Sequence, residues 1–125
     1  MSYTLTFARK PRYLHATVVG QNGKEAVAGY LEEIRIECVA SGVARVLIEE
    51  RLVGPRLGPA DVFDIAAAGS SRTSGVFQAI AYVDVNADGA MMKFAETVAV
   101  NRGVPIRLFS TVADAEQWLL GGAGG

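Results

Sequence analysis

Residues 86–120 read NADGAMMKFAETVAVNRGVPIRLFSTVADAEQWLL, and this stretch decides the fold. Met91, Phe94, Ala95 and Val98 recur at spacings of three and four, which predicts a helix from about Ala90 to Asn101 with those side chains inward. Gly103-Val104-Pro105 stops it, and Pro105 opens a short strand, Ile106 to Phe109. Thr111 is placed to cap a last helix. Val112, Ala115, Trp118 and Leu119 lie three or four apart along it, so Trp118 is expected to pack against a sheet rather than recognise a ligand.

The same alternation continues toward the N-terminus. Phe77 to Val85 is an almost wholly apolar strand, and Val43 to Glu49 is a second buried one. Between them Gly54-Pro55-Arg56-Leu57-Gly58-Pro59 must be a loop, and a helix begins near Ala60 with Val62, Phe63, Ile65 and Ala66 as its stripe. Gly69-Ser70-Ser71 is expected to end that helix before a polar connection through Arg72, Thr73, Ser74 and Gly75. Upstream, Val27, Tyr30, Leu31, Ile34 and Cys38 form one helical stripe starting near Lys24, and Gly42 is placed to stop the helix in a left-handed cap. Tyr3 to Ala8 and Tyr13 to Val19 flank a turn around Pro11 and predict a hairpin. Apolar strands separated by amphipathic helices imply right-handed crossovers and a mostly parallel sheet, hence a single α/β domain over residues 1–120 with an N-terminal β-hairpin. Residues 121–125, rich in glycine, have nothing to bury and are expected to be disordered.

Composition narrows the function classes. The 125 residues are about one domain's worth and are 50% hydrophobic, enough to bury roughly two thirds of the unfolded surface. Twelve basic residues nearly cancel 13 acidic ones, for a net charge of -1, so no long-range field favours nucleic acid or anionic lipid. The single cysteine, Cys38, rules out an internal disulfide and a thiolate metal cluster and suits a reducing cytosol. Neither a signal-peptide core nor an apolar run near the ~20 residues that span a bilayer is present, so a cytoplasmic protein is expected.

Three segments carry a family resemblance: Gly89, Met92 and Phe94 opening one helix, the strand Ile106-Arg107-Leu108-Phe109, and Ala115-Glu116-Gln117-Trp118-Leu119 in the last helix. With the hairpin start and strict alternation, they make the chain resemble the SpoIIAA-like branch of the STAS superfamily. That resemblance implies a βα superhelix with strands in sequential order and helices mainly along one face, and a role in regulation, protein interaction or apolar-ligand binding. Anti-anti-sigma members of the superfamily carry a phosphorylated serine in the turn before the second helix. The matching turn here, Gly54 to Asp61, contains no hydroxyl, so a phosphoserine switch there is chemically impossible.

Candidate chemistry is sparse. Asp84-Val85-Asn86-Ala87-Asp88-Gly89 begins like a calcium loop, but its twelfth position is Ala95 and Glu96 falls one residue late. The competing reading has Asp84 ending a strand and Asn86 or Asp88 capping the next helix. In open α/β sheets ligands gather beyond the carboxyl ends of strands, which nominates Glu49, Arg51, Arg56 and Asp84 as a crevice for a ligand or anion. Arg56 stands out because a guanidinium beside a helix N-terminus suits an anion. Paired carboxylates from Glu49, Glu50 and Asp84 offer acid-base chemistry, but no nucleophile and base can be named together. His15 is the only histidine, so a two-imidazole site is excluded.

Tyr13 and His15 alternate onto one side of their strand, and Arg107 and Phe109 share a side of theirs; these four are the candidate interface. A mean hydropathy of +0.25 with few charges favours self-association, so a homodimer is expected. The sequence therefore reads as a non-enzymatic, cofactor-free domain for regulation through protein contacts, with an unidentified protein partner. The alternative is a binding module for a small apolar or anionic ligand, held between the helices and the crevice near Arg56.

Overall fold

The structure, a computed structural model, describes residues 3–73, 75–85 and 89–121, with the side chains of 70–73 outside that description. Nine elements follow in order among these residues: β1 (Tyr3–Arg9), β2 (Leu14–Gln21), α1 (Lys24–Ser41), β3 (Arg45–Val53), α2 (Pro59–Thr73), β4 (Ala79–Asp84), α3 (Gly89–Asn101), β5 (Ile106–Phe109) and α4 (Val112–Gly121). The strands form one sheet in sequential order, β1 antiparallel to β2 and all others parallel. Strictly sequential order follows from each helix returning the chain to the next place in the sheet by the same crossover.

β1 and β2 are joined by a tight hairpin, in which Lys10 N–H donates to the Tyr13 carbonyl at 2.9 Å and Arg9 pairs with Leu14. In α1 the buried residues Val27, Tyr30, Ile34 and Cys38 fall on the expected stripe. Gly42 ends the helix at φ 70°, in the left-handed region. Its N–H donates to the Val39 carbonyl at 3.3 Å and that of Val43 to Cys38 at 3.0 Å, which satisfies carbonyls the helix end would leave orphaned.

Several boundaries differ from those expected. β3 continues to Val53 rather than stopping at Glu49, because β2 pairs with it as far as Gln21↔Val53. α2 runs through Gly69, Ser70 and Ser71 to Thr73, so Ser70, Ser71 and Thr73 are helical rather than loop residues. One helical glycine costs only about 1 kcal/mol, which packing of α2 between α1 and α3 offsets. Phe63 and Phe94 are exposed, contrary to the inward placement read from spacing. Phe63 instead lies under the Arg102 guanidinium, 4.6 Å from the ring centre. Gly121 closes α4 as a helical residue; the rest of the glycine tail, and Ser74, lie outside the described residues.

The helices lie mainly along one face, as the resemblance implies, with the last helix as the exception. α1, α2 and α3 share one face, and α4 covers the other over β3, β4 and β5. Strand alternation supplies both cores. Ala16, Val18, Val46, Ile48 and Leu52 meet the stripe of α1, while Leu47, Ala79, Ala81 and Val83 meet Ala115 and Leu119 of α4. The alanines of β4 leave room for α4 to sit close. Trp118 is half-buried against Phe109, with ring centres 5.7 Å apart, and the fully buried anchor of α4 is Leu119.

Candidate functional site

Glu49 and Glu50 are adjacent in a strand, so they point to opposite faces. Glu50 shares the parity of Val46, Ile48 and Leu52, the residues facing α1, and is 2% exposed. An acid on an apolar stripe must be compensated. Asp84, the last residue of β4, pairs with Glu50 in register, and Arg56 reaches back from the loop after β3 to join both. Arg56 Nη1 donates to Asp84 Oδ1 and Oδ2 at 3.2 and 3.3 Å and to Glu50 Oε2 at 3.5 Å, while Nη2 donates to the Leu52 carbonyl at 2.7 Å. The Leu52 N–H donates to Glu50 Oε1 at 2.6 Å.

The loop is shaped for this return. Gly54 turns at φ 103°, where a side chain would strain the backbone, and Asn22 Nδ2 holds the Pro55 carbonyl at 2.7 Å. Burial and the neighbouring Asp84 charge push the Glu50 carboxyl up to about 7, against the opposing pull of the Leu52 N–H and Arg56. Beside the acids the Tyr30 and Tyr82 hydroxyls bond each other. Burial raises both phenols well above their ordinary value.

This polar cluster closes one end of a cavity of about 240 Å³ between the sheet and helices α1, α2 and α3. Its walls are apolar, including Leu31 and Ile34 from α1, Val62 and Ile65 from α2, Met91 from α3 and Ile80 from β4. α2 packs chiefly against α1 and α3, and the cavity lies between these helices and the sheet. Val62, Ile65 and Met91 are only partly buried, so the cavity communicates with solvent.

The sequence-predicted crevice therefore divides. Arg56 and Asp84 come together, whereas Glu49 and Arg51 lie on the opposite face, because a strand reverses direction at each residue. There Arg51 Nε donates to Glu49, and His15 Nε2 lies 2.8 Å from Glu49 Oε1. Burial alone would raise the Glu49 carboxyl, but the bonds from His15 and Arg51 outweigh it and hold the group below its ordinary value. With Glu49 ionised, the His15 nitrogen facing it carries the hydrogen.

Arg56 does not present an open charge to an anion, since it is engaged by two carboxylates and a carbonyl. Of the four interface candidates, Tyr13 is buried and hydrogen-bonds Glu116 of α4. His15 and Phe109 are half-buried, and Arg107 is exposed with its guanidinium 5.8 Å from the Phe109 ring. Asn86 and Asp88 of the calcium-like loop lie outside the described residues, and among the described residues no three metal-ligating side chains cluster. No helix among them is long and apolar enough to cross a membrane.

Sequence reasoning placed its alternative ligand between the helices and the crevice near Arg56, where the cavity lies, but missed the standing of Glu50 as the buried acid there. The signal was available in the parity of residues 46–52, where one charge interrupts an apolar alternation. The distance between α2 and the sheet left no such trace.

No family model matches the chain, and no curated protein matches it. Among solved structures it is similar to an anti-sigma factor antagonist from Mycobacterium paratuberculosis, with a TM-score of 0.57, 17% identity and 94% of each chain covered. The chain thus has the fold that the SpoIIAA-like resemblance implies, a single α/β domain of the STAS type.

Proposed function

We propose that this chain is a non-enzymatic, cytosolic STAS-type regulatory domain that acts through protein contacts, as a homodimer or with an unlike partner. The observation that carries this reading is the uncovered half of the sheet. Tyr13, just before β2, meets Glu116 of α4, while Thr4, Thr6, His15, Thr17, Val19 and Arg51 form an exposed or half-buried face that mixes polar and apolar groups. Moderate protein interfaces have that composition. The similar anti-sigma factor antagonist supports a regulatory role on this fold, and the hydroxyl-free turn between Gly54 and Asp61 separates this chain from switching by phosphoserine at that position.

The test is sedimentation of the purified chain, then of its complex with any partner captured from the native cell and reconstituted, before and after Thr17→Arg. An oligomer or complex weakened at least tenfold by Thr17→Arg, with the fold intact by circular dichroism, is the expected result. A strict monomer at high micromolar concentration with no reconstitutable partner refutes the proposal, as does a complex that Thr17→Arg leaves unchanged.

A second reading is favoured by the apolar cavity on the other face, which suits a small ligand. In that reading ligand occupancy, rather than phosphorylation, sets the state of the domain. Binding would be expected to raise the unfolding temperature of the purified protein.

A further inference from the structure

The cavity's two ends differ in chemistry, and the difference selects a ligand. Its body is mostly aliphatic and thioether surface with the Phe77 ring, and it holds an apolar group chiefly by displacing water. Its closed end holds two carboxyl groups, Glu50 and Asp84, against one guanidinium. At the rim Glu32 and Arg35 of α1 bond each other at 2.6 and 2.9 Å and add no net charge. An entering anion would meet two acids of its own sign, and the one nearby cation, Arg56, already donates to Asp84, Glu50 and the Leu52 carbonyl. A hydrogen-bond donor meets the opposite situation. A carboxyl group has about four acceptor positions; the Leu52 N–H, Arg56 and a side-chain hydrogen bond with Asp84 engage Glu50 at three, which leaves about one for a ligand's donor.

We propose that the cavity binds a small apolar molecule with a neutral or cationic donor head, an amine or an alcohol, with the head seated on the Glu50 and Asp84 carboxyls and the body between α2 and the sheet. This rests on the reading of the cavity as a ligand site and adds the sign of the head group. Size limits the body as well. A cavity of about 150 Å³ takes benzene, so 240 Å³ takes roughly ten non-hydrogen atoms. A single aromatic ring with a two-carbon arm, or an unbranched chain of similar length, meets that limit. The methionines Met91 and Met92 of α3 give that wall the adaptability to fit either shape.

The test uses four probes with nearly the same body: phenylethylamine, phenylethanol, phenylacetate and toluene. Calorimetric titration and thermal shift at pH 7.5 are expected to rank the amine and the alcohol at least tenfold tighter than phenylacetate. Glu50→Gln should erase most of the amine's advantage while leaving toluene unchanged. Ile65→Trp, which fills the cavity, should abolish binding of all four; Ala66→Leu serves as a second filling variant if the first fails to fold. Phenylacetate binding as tightly as phenylethylamine overturns the head-group assignment and leaves the cavity reading standing. Failure of all four probes, toluene included, overturns both.

Discussion

Replacing Glu50 by glutamine should make the protein's stability less sensitive to pH, in a direction and by an amount that follow from the site. The Glu50 carboxyl is raised from 4.5 to about 7, chiefly by burial and then by Asp84. A carboxyl whose pKa is higher folded than unfolded binds its proton more tightly in the native state. Its stabilising contribution is therefore complete below pH 4.5 and is lost as the pH rises through about 7. At about 1.4 kcal/mol per unit, the whole loss is about 3 kcal/mol. Glu50 is 2% exposed, so solvent screening takes little from this figure. Glutamine keeps the oxygen that accepts from the Leu52 N–H and has no proton to lose. Urea unfolding of both proteins at fixed ionic strength from pH 4.5 to 8 measures the difference, since titrations common to both cancel. The parent should lose about 3 kcal/mol relative to Glu50→Gln across that range, with the steepest change between about pH 5 and 7. A difference that stays flat, or that moves in the parent's favour as pH rises, would refute the account of a buried acid paired with Asp84.

Leu119→Ala should cost about 2–5 kcal/mol in urea unfolding, because Leu119 is fully buried and anchors α4 on the second face; a loss under about 1 kcal/mol would show that α4 contributes little there. Gly42→Ala should cost about 1–2 kcal/mol by the same measurement: a Cβ at Gly42 meets nothing within 4 Å, so the whole penalty comes from φ 70°, and an unchanged midpoint would contradict a left-handed cap. The Cys38 thiol is buried and pushed up to about 11, so at pH 8 roughly one part in a thousand is thiolate. Thiol labelling of the native protein should therefore be slow and should accelerate on adding denaturant, whereas rapid stoichiometric labelling without denaturant would place Cys38 elsewhere.

Local patterns were legible where a single element carried them. The α1 stripe of Val27, Tyr30, Ile34 and Cys38, the Gly42 cap and the Ile106–Phe109 strand all depend on periodicity and backbone freedom within a few residues. The Thr111 cap is of the same kind, its hydroxyl accepting from the Asp114 N–H at 3.2 Å. Boundaries set by neighbours were not legible. β3 extends to Val53 because β2 pairs with it, and α2 survives Gly69 because two helices flank it. Phe63 and Phe94 sit one step round their helices from the buried stripe, a rotation that spacing alone does not resolve. At the site, Arg56 and Asp84 were named from their positions at strand ends, but Glu49 and Arg51 were grouped with them although strand alternation sends those two to the far face.

The amino-acid sequence by itself determined the alternation of strands and helices, the parallel sheet with its hairpin start, and the absence of a hydroxyl from the turn between Gly54 and Asp61. Those properties follow from side-chain periods, turn residues and composition, which act over short distances along the chain. Only the tertiary structure decided that α4 crosses to the second face, that Glu50 and Asp84 share Arg56, and that a cavity of about 240 Å³ lies between the sheet and helices α1, α2 and α3. These depend on the register between strands and on the distance between packed layers, and both are set by contacts among residues far apart in sequence.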